Sequence, residues 1–189
     1  MERNESELRK YIDEGIEARK SIVLTDIIEF AKLLHARLSS GGKLITFGNG
    51  GSAADAQHFA AELSGRFLVE RRSLPAIALT TNTSSLTAIG NDYDYSSVFS
   101  RQVDGLCDSR DVVVGISTSG NSNNVIEGLK RAKEKGAFTL ALTGKSGGKA
   151  KMVADRCIKA DSDKTPIIQE IHIAIIHMIC YELDKLLVE

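Results

Sequence analysis

Charge of one sign is what this 189-residue chain most clearly lacks: 24 Lys and Arg stand against 25 Asp and Glu, a net charge of -1. No bulk basic field draws nucleic acid or an anionic membrane, so a charged ligand needs a local site. Cysteine is scarce as well. Cys107, Cys157 and Cys180 are odd in number, far apart and each beside an apolar residue. That pattern argues against a disulfide framework or a Cys-only zinc site and for reduced, buried thiols. No run approaches the ~20 apolar residues of a membrane span, and the start, Met-Glu-Arg-Asn-Glu-Ser-Glu, is too charged for a signal peptide. Linkers, internal repeats and the composition of disorder are also missing; 42% hydrophobic with 26% charged is ordinary globular make-up. The expectation is a soluble, cytoplasmic protein with one sizeable core and neither a nucleic-acid nor a membrane partner.

What is present is an alternation of helices and short apolar strands. Residues 1–40 read as helical, with one stripe of Leu8, Tyr11, Ile12 and Ile16 and a second of Val23, Ile27, Phe30, Leu34 and Leu38, stopped by Gly41-Gly42. The first stripe precedes the α/β region, so this segment is expected to pack over the core edge or on another subunit. Residues 41–189 then read as one α/β domain. Lys43-Leu-Ile-Thr-Phe-Gly, Pro75-Ala-Ile-Ala-Leu-Thr80, Asp111-Val-Val-Val-Gly-Ile116 and Phe138-Thr-Leu-Ala-Leu-Thr143 are buried strands, and Arg156-Cys-Ile-Lys159 is a candidate fifth. Continuous apolar strands separated by helical segments indicate a parallel sheet covered on both faces. The last helix, Thr165 to Leu187, has Pro166 at its first turn and isoleucines around almost its whole circumference. A helix apolar all round is buried all round, which in a domain this small calls for a subunit interface on one side. Gln169, Glu170, His172 and His177 interrupt that apolar surface and need a reason to be there.

Two strand-to-helix loops point to an anion. The first, Gly48-Asn-Gly-Gly-Ser52, bares backbone N–H groups at a helix start. Its G-x-G-x-x-A spacing lacks the acidic residue a dinucleotide fold places after the second strand, where Thr80-Thr81-Asn82-Thr83 stand instead, and no Lys-Ser/Thr follows to make a P-loop. The second loop is more specific. Ser117, Thr118, Ser119 and Ser122 supply four hydroxyls within six residues, Gly120 lets the backbone curl, and a helix follows directly. Convergent donors at a helix N-terminus, at the carboxyl end of a buried parallel strand, suit a phosphate monoester. Among titratable groups, His58 and Glu62 are four apart on the helix launched by the first loop and share a face. Gln169 and His177 are eight apart, ~12 Å along the last helix, and meet on one ligand only by reaching toward each other. His35 reads as surface or packing, and His172 fits either core or site.

These residues carry a resemblance. Gly48-Asn-Gly-Gly-Ser-Ala-Ala-Asp-Ala-Gln-His-Phe-Ala-Ala-Glu-Leu63, Gly90-Asn-Asp92, Gly115-Ile-Ser-Thr-Ser-Gly-Asn-Ser122, Leu142-Thr-Gly144, Ile168-Gln-Glu-Ile-His172 and His177 together resemble the phosphoheptose isomerases of the sugar isomerase (SIS) domain superfamily. The likeness runs from about residue 40 to the end; the first 40 residues agree only in being helical. It implies an α/β, flavodoxin-like three-layer fold with a five-stranded parallel sheet plus N-terminal helices. It also implies a homotetramer with active sites built between subunits. The activity implied is conversion of sedoheptulose 7-phosphate to D-glycero-D-manno-heptose 7-phosphate, feeding nucleotide-heptose synthesis for bacterial surface polysaccharide. Carried over by position, Ser117, Thr118, Ser119 and Ser122 hold the phosphate. Asn49, Gly50, Gly51, Ser52, Asn91 and Asp92 touch the sugar, with Arg66 nearby. His58, Glu62, Gln169 and His177 hold one zinc ion per subunit, while Glu62 and His177 are also the implied base and acid. The alternative is a non-catalytic SIS regulator that binds a sugar phosphate or a replication-initiation protein, which has no need of a base.

Overall fold

The computed structural model describes residues 2–188 and has the parallel sheet expected from the sequence. Five strands, β1 (Leu44–Gly48), β2 (Ala76–Ala78), β3 (Val112–Ser117), β4 (Phe138–Thr143) and β5 (Arg156–Lys159), lie side by side in the order β2-β1-β3-β4-β5. Every pairing is parallel, for example Thr46 against Val114 and Val114 against Leu140. β1, β3 and all but the first residue of β4 are buried, which is why they read as unbroken apolar runs. β2 is shorter than its apolar run suggests. It is one of the two edge strands, and Ile77 at its centre is more than a third exposed.

Helices cover both faces. On one side α1 (Glu2–Lys20), α2 (Leu24–Ser39), α3 (Gly51–Ser64) and α8 (Thr165–Val188) pack on Leu44, Val112, Val114, Leu140 and Leu142. On the other, α4 (Thr83–Asp92), α5 (Ser100–Leu106), α6 (Asn123–Glu134) and α7 (Ala150–Val153) cover Ile45, Phe47, Val113 and Ala141, with Phe47 stacked on Phe99 at 4.8 Å. Alternate strand residues thus serve separate cores, as the pleat requires.

One expectation is corrected. α8 does not need another subunit to bury its isoleucines: α2, α3 and the sheet enclose Ile167, Ile168, Ile171, Ile175, Ile176 and Ile179, leaving only positions such as Ile173 and Met178 half-buried. The N-terminal helices supply the cover that the domain by itself was too small to provide. In the first stripe, Tyr11 alone turns toward the core, donating its hydroxyl to Glu170, while Leu8, Ile12 and Ile16 are exposed. The three cysteines are free, Cys107 and Cys180 buried and Cys157 partly so. Among the described residues no helix is long and apolar enough to cross a membrane.

Candidate active site

The strand order reverses direction between β1 and β3, and the loops leaving their carboxyl ends diverge there into a crevice. Asn49, Gly50, Gly51 and Ser52 from the first loop, Ser117, Thr118 and Ser122 from the second, and Thr165 and Gln169 from α8 line a cleft of about 280 Å³. No lysine or arginine lines it, so an anion there meets hydroxyls, amides and helix ends. Ser119 faces an adjoining hollow of about 270 Å³, which shares Thr118 and Thr165 and also holds Lys145, itself paired with Asp161 at 3.2 Å.

The hydroxyl loop is held in shape before any ligand arrives. Ser117 Oγ lies 3.0 Å from Ser122 Oγ, and Ser119 Oγ accepts from the Asn121 backbone N–H at 3.1 Å. Gly120 has φ +65, and a Cβ there would stand 2.3 Å from the Gly147 carbonyl oxygen, so only glycine lets the two loops meet. The Gly120 carbonyl accepts from Ala150 N–H and the Thr118 carbonyl from Gly144 N–H, bracing the turn from β4. The first loop is tied to the second through side chains. Asn49 and Asn124 exchange two amide hydrogen bonds of 2.8 Å each, and Tyr95 donates to Asn49 Oδ1 at 3.3 Å. The resemblance implies that Asn49 touches the sugar; it lines the cleft, and its amide also straps the two loops through Asn124, a residue that no sequence motif marks.

A second constellation lies along α3 and α8. Gly51 faces Gln169, whose amide would be 2.3 Å from a Cβ placed on Gly51. Farther along, His58, Glu62 and His177 converge: His58 Nε2 is 2.7 Å from Glu62 Oε1 and 3.3 Å from His177 Nε2, and the three donor atoms lie within 4.8 Å of one another. Two imidazoles and a carboxylate at this spacing could hold a divalent metal, and the donor set is compatible with zinc. Phe67 stacks on His177 with ring centroids 5.7 Å apart. Asp55, one turn before His58, buries Oδ2 without a hydrogen-bond partner; burial pushes its carboxyl up to about 6, His58 opposing. The spacing of three from His58 was the only hint of it in the sequence.

Not every expected residue is here. Arg66 is exposed, its nearest carboxylate that of Glu70 at 3.8 Å. Asn91 and Asp92, at the end of α4, bond to each other at 2.9 Å. None of the three lines the cleft of its own chain. His172 proves to be a core residue: fully buried, it meets the Thr143 carbonyl at 3.0 Å, and burial holds its pKa down at about 4.

Comparison with known proteins agrees with this architecture. Residues 10–144 match the SIS domain family. A probable phosphoheptose isomerase of Thermoplasma acidophilum is 61% identical over 94% of this chain and 97% of its own length. The phosphoheptose isomerase of Geobacter sulfurreducens is 55% identical over 90% of each chain. The solved structure of a phosphoheptose isomerase from Neisseria gonorrhoeae superposes with a TM-score of 0.88 at 46% identity, covering 97% of this chain and 98% of that one. A hydroxyl-lined crevice at the switch point, a His-Glu-His cluster farther along the two helices whose starts line that crevice, and identity at this level along nearly the whole length place the chain in the SIS domain family, among the phosphoheptose isomerases.

Proposed function

We propose that this protein interconverts sedoheptulose 7-phosphate and D-glycero-D-manno-heptose 7-phosphate, an aldose–ketose isomerisation of a phosphosugar. The observation that carries the reading is the convergence of Glu62 with His58 and His177 on the two helices whose first turns line a cleft suited to a phosphate. A module that only binds a sugar phosphate gains nothing from a carboxylate and two imidazoles gathered within 4.8 Å, so nothing favours the regulator.

In this reading Ser117, Thr118, Ser119 and Ser122, with the N-terminus of α6, hold the phosphate, and Gly50, Gly51 and Ser52 let the sugar lie against backbone. Glu62 takes a proton from C1 while His177 gives one to the carbonyl oxygen at C2, producing the enediol. Loss of the O1 proton and return of a proton to C2 leave an aldehyde at C1 and a hydroxyl at C2. His58, Glu62 and His177, with Gln169 as a fourth donor, would hold zinc, which supplies Lewis acidity toward the sugar's oxygens when bound.

We further propose a cytoplasmic homotetramer in which Arg66, Asn91 and Asp92 complete a neighbouring subunit's site. That none of the three lines the cleft of its own chain supports this, as do the exposed apolar residues Leu8, Ile12 and Ile16 on α1 and Leu24 and Ile28 on α2. The product would feed nucleotide-heptose synthesis for surface polysaccharide.

The test is turnover of sedoheptulose 7-phosphate by metal-replete and chelated protein. Activity that a chelator removes and added zinc restores is expected. Binding without turnover in replete protein would overturn the isomerase reading; undiminished turnover in metal-free protein would return Glu62 and His177 to plain base and acid.

A further inference from the structure

The two helices that carry the His-Glu-His cluster run side by side in the same direction. Gly51 meets Gln169 near their beginnings and His58 meets His177 in the middle. Beyond the cluster, the loop that follows α3 turns back over α8 and buries an ion pair. Arg71 Nε donates to Asp184 Oδ1 at 2.9 Å, and the two side chains are only 6% and 4% exposed. Arg71 also donates Nη2 to the Glu62 carbonyl at 2.7 Å and Nη1 to the Leu63 carbonyl at 3.0 Å, capping the open C-terminal end of α3. Asp184 uses its other oxygen to accept from the Leu68 and Val69 backbone N–H groups at 2.8 and 3.1 Å. Between these anchors the loop presents Phe67 to the His177 ring. Asp184 stands seven residues after His177, two turns on and on nearly the same face of α8.

We propose that Arg71 and Asp184 are positioning residues which fix how far His58 and Glu62 on α3 stand from His177 on α8, and so set the geometry of the metal and proton-transfer cluster. The proposal rests on the isomerase and zinc reading above and deepens it. The physical case is one of directionality. The neighbouring contacts between α3 and α8 are aliphatic and aromatic, through Ala56, Phe59 and Leu63 against α8 isoleucines, and such surfaces tolerate small slides. Ligand donors do not, since a metal site depends on distances held to a few tenths of an ångström. Hydrogen bonds converging on a planar guanidinium and a carboxylate, among them those to the Glu62 and Leu63 carbonyls and from the Leu68 and Val69 N–H groups, favour one register. A buried ion pair is poor value as a stabiliser compared with apolar packing, so its presence beside the cluster calls for a role in specifying geometry. Arg71 holds the backbone carbonyl of Glu62 itself, so the clamp acts on the residue whose carboxylate is in the cluster.

The test compares wild type with Arg71→Lys, which keeps the charge facing Asp184 but cannot also reach both carbonyls. Zinc affinity is measured by competition with a chromophoric chelator, inorganic phosphate binding by calorimetry, and turnover as kcat and KM. The expected result is zinc affinity weakened about 10- to 100-fold, as for lost outer-shell support. kcat should fall at least about tenfold, recovering in part at saturating zinc, with KM and phosphate affinity within about twofold. Should Arg71→Lys not accumulate as folded protein, Asp184→Asn carries the same measurements, because its amide oxygen still accepts from Leu68 and Val69. A folded variant with wild-type zinc affinity and kcat would overturn the clamp and leave the pair a plain staple. Wild type that neither binds zinc nor turns over substrate would overturn the functional reading, and the clamp with it.

Discussion

The cleft and the α3–α8 seam are built on opposite plans. The cleft is made of short side chains and backbone at the ends of β1 and β3, shaped by close approaches such as Gly120 against Gly147 and strapped by the Asn49–Asn124 pair. None of the residues lining it titrates near neutral pH. The seam gathers titratable groups on two long helices, so its geometry depends on how those helices pack rather than on any loop. Holding a dianion calls for many modest donors fixed in place. Moving a proton calls for a few groups whose mutual distance matters more than their number. The separation implies that binding and chemistry can be damaged independently.

The largest expected break in that comparison is Glu62→Gln. The amide keeps shape and loses the base, so kcat should fall about 10³-fold, within the range for removing a general base, while affinity for inorganic phosphate stays within about twofold. Exchange of the C1 proton with solvent, followed by NMR, is the direct readout. Wild-type exchange in this variant would remove Glu62 from the proton transfer.

How legible each half is in the sequence follows from the same contrast. The cleft is written locally: a buried strand, a glycine or serine cluster and a helix start occur within ten residues of each other, so both loops announce themselves. Strands β1, β3 and β4 are equally plain because burial on both faces leaves no polar interruption. The seam is written across more than a hundred residues, and only the His58–Glu62 spacing and the polar Gln169 and His177 within the apolar last helix hint at it. Arg71, Asp184 and Phe67 look like ordinary surface or packing positions until the loop after α3 folds back on α8. Helix α4 escaped for another reason. It buries no residue fully and turns only Leu86 and Ile89 toward the core, too short an apolar pattern in Thr83–Asp92 to stand out, and its clearest signal is Asn82 capping the Ser85 N–H at 3.0 Å. The all-round apolar pattern of α8 does not by itself reveal its cover, because helices α1 and α2, more than a hundred residues earlier, supply it.

A middle-sized effect tests how firmly the seam is attached to the sheet. His172 is buried and neutral, bonded to the Thr143 carbonyl at the end of β4, with its pKa held down to about 4 by burial. Unfolded, the same imidazole titrates near its ordinary value of about 6.5. Between these values the unfolded chain binds the extra proton, so stability falls as pH falls through that window. The loss amounts to about 3 kcal/mol by the time both states are protonated. Urea unfolding from pH 7 to pH 4 should show this slope, and His172→Gln should flatten it because the amide can still donate to Thr143. An unchanged slope in that variant would assign the acid sensitivity to other groups.

The smallest effect sharpens the cleft side. Ser122 is the residue preceding α6, yet its hydroxyl makes no capping bond; the first-turn acceptor is Asn124 Oδ1, which takes the Val125 N–H at 2.9 Å. The Ser122 oxygen is instead turned to Ser117 across the cleft, at 3.0 Å. Ser122→Ala should therefore leave thermal stability within about 0.5 kcal/mol, less than removing a capping serine costs. One ligand hydrogen bond to a charged phosphate is worth about 1.5–3 kcal/mol, which corresponds to a rise in KM of roughly 10- to 100-fold with kcat nearly unchanged. A fall in kcat with KM constant would mean that Ser122 reaches the reacting carbons and not the phosphate. The division between a binding cleft and a chemical seam would then have to be redrawn around it.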